Sequence, residues 1–322
     1  MLDVFITVDT EFWCSTFNPT TDEAVDSFDK FINGVTDTGA WGVPYQVDLL
    51  RKHDLKAVFF VEGLYVPVAC PDQSQKLVEL IRANGHDVEI HAHTEWLPCL
   101  SDITLSQENG QDIRLFNEDD QTTILAKAIR NLADVGVSDP VAFRAGNFGA
   151  NWTTLKALAR NGIRIDSSLN SRYLGTACDM HLDSTLLQPM LRNRVVEFPV
   201  GLFHDFPGHI RPLHIQACSF SEMRHVLIEY FELGLPTCVL VTHSFETLNS
   251  KRTGPDPIVC RRFERLCNFL DENRDKFRTV GFRDVADLTI FDAPAPQTAI
   301  PRSSVFRTGV RVAEQLIRRA IY

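Results

Sequence analysis

Lys56-Ala-Val-Phe-Phe-Val61, then Gln73-Ser-Gln-Lys-Leu-Val-Glu-Leu-Ile-Arg-Ala-Asn84-Gly85, then Asp87-Val-Glu-Ile-His91 follow one another along the chain. A short apolar run reads as a strand, the amphipathic stretch as a helix stopped by its glycine, and the second run as another strand. Two strands joined through a helix make a parallel βαβ unit. The pattern extends in both directions. Strands are predicted at Val4–Val8, Val141–Phe143, Ile163–Ile165, Val195–Phe198, Thr237–Val241 and Thr279–Phe282. Helices are predicted at Val43–His53, Asp119–Val135, Thr153–Asn161, Ser221–Glu232 and Pro257–Phe277, while 97–117 reads as a long polar loop. Seven or eight such units in one chain favour an α/β fold of the irregular (β/α)7–8 barrel type, a distorted TIM barrel, with a doubly wound open sheet as the alternative.

Composition narrows the function classes. The 322 residues carry 32 Lys plus Arg against 42 Asp plus Glu, a formal charge of −10. A chain this acidic is not expected to bind nucleic acid, because phosphate neutralisation needs a basic face. No window approaches roughly eighteen uninterrupted apolar residues, so no spanning helix is expected. The start of the chain shows no secretory pattern, and the eight cysteines form no CxxC pair, so reduced thiols and a cytoplasmic location are expected. The phosphate loop G-x-x-x-x-G-K-[ST], the dinucleotide fingerprint and the G-x-S-x-G elbow are all missing.

After Leu288 the composition changes. Asp292-Ala-Pro-Ala-Pro296 and Pro301 read as a linker, which divides the chain into a barrel (1–290), a Pro-rich linker (291–304) and a C-terminal helix (305–322). That helix alternates Phe306, Val310, Ala313, Leu316, Ile317, Ala320 and Ile321 with Arg307, Arg311, Arg318 and Arg319. Either its apolar face docks on the domain with the arginines in solvent, or it offers a basic amphipathic surface to a membrane or partner.

Five strand ends deliver ionisable residues. Val4–Val8 runs into Asp9-Thr-Glu11, whose carboxylates lie on one side if the strand continues. In a parallel barrel that end of the strands forms the active-site face. The third strand ends in His91-Ala-His93-Thr-Glu95-Trp96, three metal-ligand types in five residues. His86, at the strand's start, reads as structural. Arg144 in Phe143-Arg-Ala-Gly146 needs a carboxylate if buried, and Asp9 is a suitable partner. Arg164-Ile-Asp166 ends in an acid, and Thr237–Thr242 ends in His243, well placed as a general acid. The loop Phe203–His214 is expected to border the cleft or to lie as a turn-rich surface loop.

The ordered set resembles the polysaccharide deacetylases with a NodB homology domain, carbohydrate esterase family four, over roughly residues 1–290. The resemblance implies a deacetylase-type barrel and a metal-dependent hydrolase, most simply with Zn2+, that removes an N-acetyl or related acyl group from a sugar. It implies Asp9 as general base, Glu11 and His91 as metal ligands, Arg144 orienting Asp9, Asp166 orienting His243, and His243 as general acid. Val241 would receive the acetyl methyl. The family's second histidine falls four positions after the first, where this chain has Glu95; either Glu95 or His93 completes the metal site. The usual aromatic after the fourth motif is missing, and Trp96 or Phe148 would supply that wall. The Asp-Thr-Glu and His-Ala-His-Thr-Glu variants resemble an outlying branch found among genes for surface polysaccharide assembly. Its substrate would be a sugar nucleotide, glycolipid or polysaccharide, handled at the inner face of the membrane if the C-terminal helix touches it. The alternatives are a hydrolase of small non-peptide amides and a catalytically inactive carbohydrate-binding or scaffold protein.

Overall fold

The computed structural model describes residues 1–15, 19–106, 110–285, 288, 291 and 299–321. Residues 292–298 of the expected linker lie outside the described residues. The main strands are β1 (Leu2–Thr10), β2 (Val58–Glu62), β3 (Asp87–Ala92), β4 (Ala142–Ala145), β5 (Ile165–Asp166), β6 (Met190–Arg192), β7 (Val195–Glu197), β8 (Leu202–Phe206), β9 (His209–Pro212), β10 (Thr237–His243) and β11 (Phe277–Thr279). One curled sheet runs β10-β1-β2-β3-β4-β5-β7-β6, with β11 beside the start of β1. All its pairings are parallel except β6 with β7.

The curl closes without a continuous ladder. Val200 bridges Val239 and His214 bridges Val241, through Gly201 N–H on the Val239 carbonyl (2.9 Å) and Ile215 N–H on the Val241 carbonyl (2.9 Å). Thus the irregular barrel expected from the strand–helix alternation is the fold that forms. Helices Val43–Lys52, Pro71–Ala83, Glu118–Asp134, Trp152–Arg160, Phe220–Glu232 and Pro257–Glu272 lie along the sequence where they were predicted. The segment predicted as a strand at Thr279–Phe282 shifts instead to Phe277–Thr279, the residues that pair in register with Leu2–Val4 at the start of β1. The expected loop 203–214 is largely a hairpin, β8 with β9. All eight cysteines are free thiols.

Strand alternation sorts the interior into layers. Phe5, Val58, Phe60, Ala142, Ile165, Val196, Phe198 and Val239 pack inside the barrel with Val280, Phe282 and Phe291. The alternate residues Val4, Ile6, Val8, Phe59, Val61, Val88, Ile90, Phe143, Cys238 and Leu240 belong to the larger core that includes the covering helices. Following the odd residues up β1 leads from Phe5 through Thr7 to Asp9, from an apolar floor to a polar rim.

Two buried carboxyls also face each other across the β5–β7 ladder, where Asp166 pairs in register with Glu197. Both are fully buried. Ser168 Oγ donates to Asp166 Oδ1 at 2.6 Å, and the Leu169 N–H to Glu197 Oε1 at 2.9 Å. Burial, and then the neighbouring Asp166 charge, push the Glu197 carboxyl well above its ordinary range. Burial pushes the Asp166 carboxyl up as well, which favours a proton held at this pair over two buried charges.

Two stability measurements follow from this packing. Phe198→Ala removes a ring that contacts Phe5, Phe282 and Phe291 at centroid distances of 5.4, 5.2 and 5.4 Å. Chemical denaturation is expected to show a loss of about 3–5 kcal/mol. Glu197→Gln acts in the opposite sense. A carboxyl that stays protonated in the fold but ionises in the unfolded chain makes stability fall as pH rises above the unfolded value. The Gln variant lacks that term, so its Tm is expected to gain on wild type between pH 5 and pH 8; an unchanged difference between the two pH values would refute the proton held at this pair.

Candidate active site

Asp9, Glu11, His91 and His243 converge with His93 on one cleft of about 370 Å3, also lined by Trp13, Ala145, Asn147, Phe148, Asn170, Tyr173, Val200, Pro212, His214 and Val241. The size is that of a small-molecule site. Register explains the convergence. Asp9 stands opposite His243 on one side and Phe60 on the other, and His91 stands between Glu62 and Arg144. Each of these strands reaches the same rim of the sheet with an inward-pointing residue.

Arg144 is completely buried. Its Nη1 donates to Asp9 Oδ1 (2.7 Å) and Thr7 Oγ1 (2.8 Å), its Nε to the Ser167 carbonyl (3.0 Å) and its Nη2 to Ser167 Oγ (3.1 Å). The guanidinium lies 4.4 Å from the Phe60 ring centroid. Asp9 Oδ2 is left facing the cleft, 3.9 Å from His243 Nε2.

Glu11, His91 and His93 meet nearby. Glu11 Oε2 lies 3.0 Å from His91 Nε2 and 2.5 Å from His93 Nε2. His91 Nδ1 sits 2.8 Å from the Arg144 carbonyl, a bond that puts the proton on Nδ1 and leaves the Nε2 lone pair toward Glu11. Burial alone would raise the Glu11 carboxyl, but the charge of His93 and the hydrogen bonds of both histidines hold it well below its ordinary range. Burial would lower His93, and Glu11 outweighs it and raises the imidazole well above its usual value. Two imidazole nitrogens and a carboxylate oxygen, all within 4.8 Å of one another, can hold a divalent cation. The donor set is one that zinc takes in catalytic sites.

Glu95, the other candidate ligand, stands behind His93 and outside that group. Its Oε2 is 3.4 Å from His93 Nδ1, on the ring edge away from Glu11, and its Oε1 accepts from Asn147 Nδ2 at 2.7 Å. Between the two alternatives, His93 is the one that faces Glu11. The His93 ring packs directly on Gly146, where a Cβ would sit 2.6 Å from His93 Cγ and Nδ1. The next residues, Asn147 and Phe148, take left-handed φ of 55° and 56°, which turns them toward the cleft.

Two expectations are corrected. Asp166 does not reach His243; it is spent on Ser168 and Glu197. Glu246 takes that place: its Oε1 is 2.9 Å from His243 Nδ1 and 2.7 Å from His214 Nε2, while Thr242 Oγ1 donates to its Oε2 at 2.9 Å. Burial would lower His243, and the Glu246 carboxylate, with Glu11 and Asp9, overrides it and raises the imidazole to about 9. Trp96 does not line the cleft either. The short turn Thr94–Cys99 folds it into the core, stacked on Tyr65 at 4.6 Å and on Trp13 at 6.0 Å. Phe148 and Val241 do line the cleft, and Phe148 stacks on Tyr173 at 5.7 Å.

Sequence reading missed Trp13, Tyr173 and Glu246, whereas His214 closes the loop that was expected to border the cleft. Glu246 carried a signal, standing three residues past the strand-end histidine in His243-Ser-Phe-Glu246. His86 is structural as expected: its Nδ1 accepts from the Ala57 N–H at 3.3 Å, and burial, then Lys56, lower it to about 4.

Residues 28–166 match the family model described as polysaccharide deacetylase. No curated protein matches the sequence. Among solved structures, a proposed polysaccharide deacetylase from Mycobacterium smegmatis superposes with a TM-score of 0.53 at 20% identity, over 92% of this chain and 94% of that one. A family 4 carbohydrate esterase from Streptomyces lividans, in complex with acetate, gives 0.45 at 12% identity over 92% and 98%. The family-model match over residues 28–166 and the fold shared with the mycobacterial protein bear out the resemblance carried by the strand-end motifs.

Proposed function

We propose that this chain is a metal-dependent hydrolase that removes an N-acetyl or related acyl group from a sugar. The observation that carries the reading is the meeting of Glu11, His91 and His93 beside Asp9, with His243 on the facing wall of one cleft. Bound by those three side chains, a divalent cation such as Zn2+ would polarise the scissile carbonyl and make a water more acidic.

The remaining work falls to the chain. Arg144 occupies Asp9 Oδ1, so Oδ2 is the oxygen that accepts the proton of the attacking water. Glu246 holds His243 at Nδ1, so Nε2–H points into the cleft and protonates the departing amine. Trp13 and the Phe148–Tyr173 stack offer aromatic faces for a sugar ring, and Asn147 and Asn170 offer amides for its hydroxyls. Val241 supports the small apolar end of the acyl group. Surface polysaccharide or glycolipid biosynthesis is the setting that the motif variants favour.

The decisive measurement combines acetate or formate release from sugar nucleotides and glycolipids with metal analysis. Wild type is expected to hold one equivalent of metal, lost in His91→Ala and His93→Ala. Asp9→Asn is expected to keep the fold and lose about 10²–10⁴-fold in kcat/KM. Protein that takes up no metal even on reconstitution would instead support an inactive carbohydrate-binding role, and release from small amides but not sugars would support the amidase alternative.

Glu246→Gln tests the positioning of the acid. His243 must be protonated to act, so activity falls as pH rises through its pKa. Loss of the Glu246 charge lowers that pKa, and the alkaline limb of kcat/KM is expected to move to lower pH by about one unit, the equivalent of about 1.4 kcal/mol. An unmoved limb would separate Glu246 from the acid.

A further inference from the structure

The helix Val305–Ile321 is docked with its polar side inward. Arg311 is buried, its Nε donating to Glu222 Oε1 at 3.1 Å and its Nη2 to Asp205 Oδ2 at 2.8 Å. Arg318 Nε donates to Asp256 Oδ2 at 2.6 Å. Glu314 Oε2 accepts from Arg262 Nε and Nη2 at 2.9 and 2.6 Å. Thr308 Oγ1 donates to the Asp205 carbonyl at 3.1 Å. The expected docking, with the apolar face on the barrel and the arginines in solvent, is not what forms: buried acids on the domain select Arg311 and Arg318.

The apolar side is left outside. Val305 is 74% exposed, Phe306 80%, Leu316 59%, Ile317 51% and Ile321 56%. With Gly309, Val312, Ala313 and Ala320, also exposed, they run the length of the helix, about 25 Å at 1.5 Å per residue. Single exposed apolar residues are ordinary; a continuous apolar face this long marks an interaction surface.

Charge identifies the occupant. Glu314 is the helix's single acid, and it is turned inward on Arg262. Arg307 and Arg319, and Arg302 just before the helix, take part in no ion pair among the described residues. The outward side is therefore apolar and flanked by cations alone. A second copy pairing along this helix would bring these arginines against their own kind, Arg319 against Arg302 and Arg307 in the antiparallel sense and each against itself in the parallel sense. An anionic bilayer surface satisfies both the apolar face and its basic flanks. The rest of the chain, with 28 Lys plus Arg against 41 Asp plus Glu and so a net charge of −13, is repelled by such a surface, which confines contact to this helix.

We propose that Val305–Ile321 lies in the plane of an anionic membrane surface, holding the barrel there through Arg311 and Arg318. Its anchors connect to elements of the cleft: Asp205 is on β8, whose partner β9 contributes Pro212, and the Asp256 N–H donates to the carbonyl of Thr247, next to Glu246, at 2.7 Å.

The test is co-sedimentation of the full chain with vesicles of phosphatidylglycerol and phosphatidylcholine. Wild type is expected to pellet with them. The double variant Leu316→Glu and Ile317→Glu, which alters two solvent-facing side chains and should keep the wild-type Tm, is expected to partition at least ten-fold less. Wild type remaining in the supernatant would overturn the proposal, as would a variant that binds equally well. Light scattering that finds a wild-type dimer, dissolved by the same two substitutions, would also overturn it in favour of a second copy. Sedimentation needs no turnover, and the Asp9→Asn protein should bind vesicles like wild type. An active enzyme that ignores vesicles, and a vesicle-bound protein without activity, are thus distinguishable failures.

Discussion

The ion pair between Arg144 and Asp9, with side chains 0% and 3% exposed, is the constraint on which the interior of this barrel is organised. A guanidinium in that position must satisfy every donor locally, and removing a partner from a buried pair costs about 3–5 kcal/mol. Arg144 does so by reaching four neighbours at once: β1 through Asp9 and Thr7, the segment after β5 through Ser167, and the Phe60 ring beneath it. Its own carbonyl holds His91. One residue thereby fixes both the free oxygen of Asp9 and the free nitrogen of His91.

Above the apolar floor of Phe5, Phe60 and Phe198, polarity increases toward the rim, and the two halves of the cleft have different electrostatic character. On the β1–β3 side, the carboxylate of Glu11 is gathered with two imidazoles. On the β10 side, Glu246 sits between two more, His214 and His243, and their charges outweigh burial and draw its carboxyl far down. Asp9 lies between the two sets. The proposed hydrolysis uses this asymmetry, with a cation on one wall and a proton donor on the other.

Much of this was legible in the sequence because parallel strands ending at one rim obey a period of two. Asp9, Glu11, His91, His93, Arg144 and His243 each stand at or just beyond a strand end, so the pattern alone places them together. What escaped depends on long-range approach. Glu246 lies beyond the strand, and only the turn after β10 brings it back to His243. Asp166 is legible as a strand-end acid, but its neighbour Glu197 comes from β7, and nothing local shows that the two share a ladder. Trp96 follows the histidine motif directly, yet the turn at Thr94–Cys99 directs it to the core. For the last helix, periodicity gives two faces without saying which is inward; that is settled by Asp205, Glu222 and Asp256, far away in the chain.

No helix among the described residues is long and apolar enough to cross a membrane. The way the barrel closes has a further consequence. Between Val200 and His214 on one side and β10 on the other, isolated bridges replace a ladder. Hydrogen bonds so sparse part at lower cost than those of a paired strand. This seam borders the cleft through Val200, Pro212 and His214, so that wall yields at lower cost than the opposite one, which Arg144 braces.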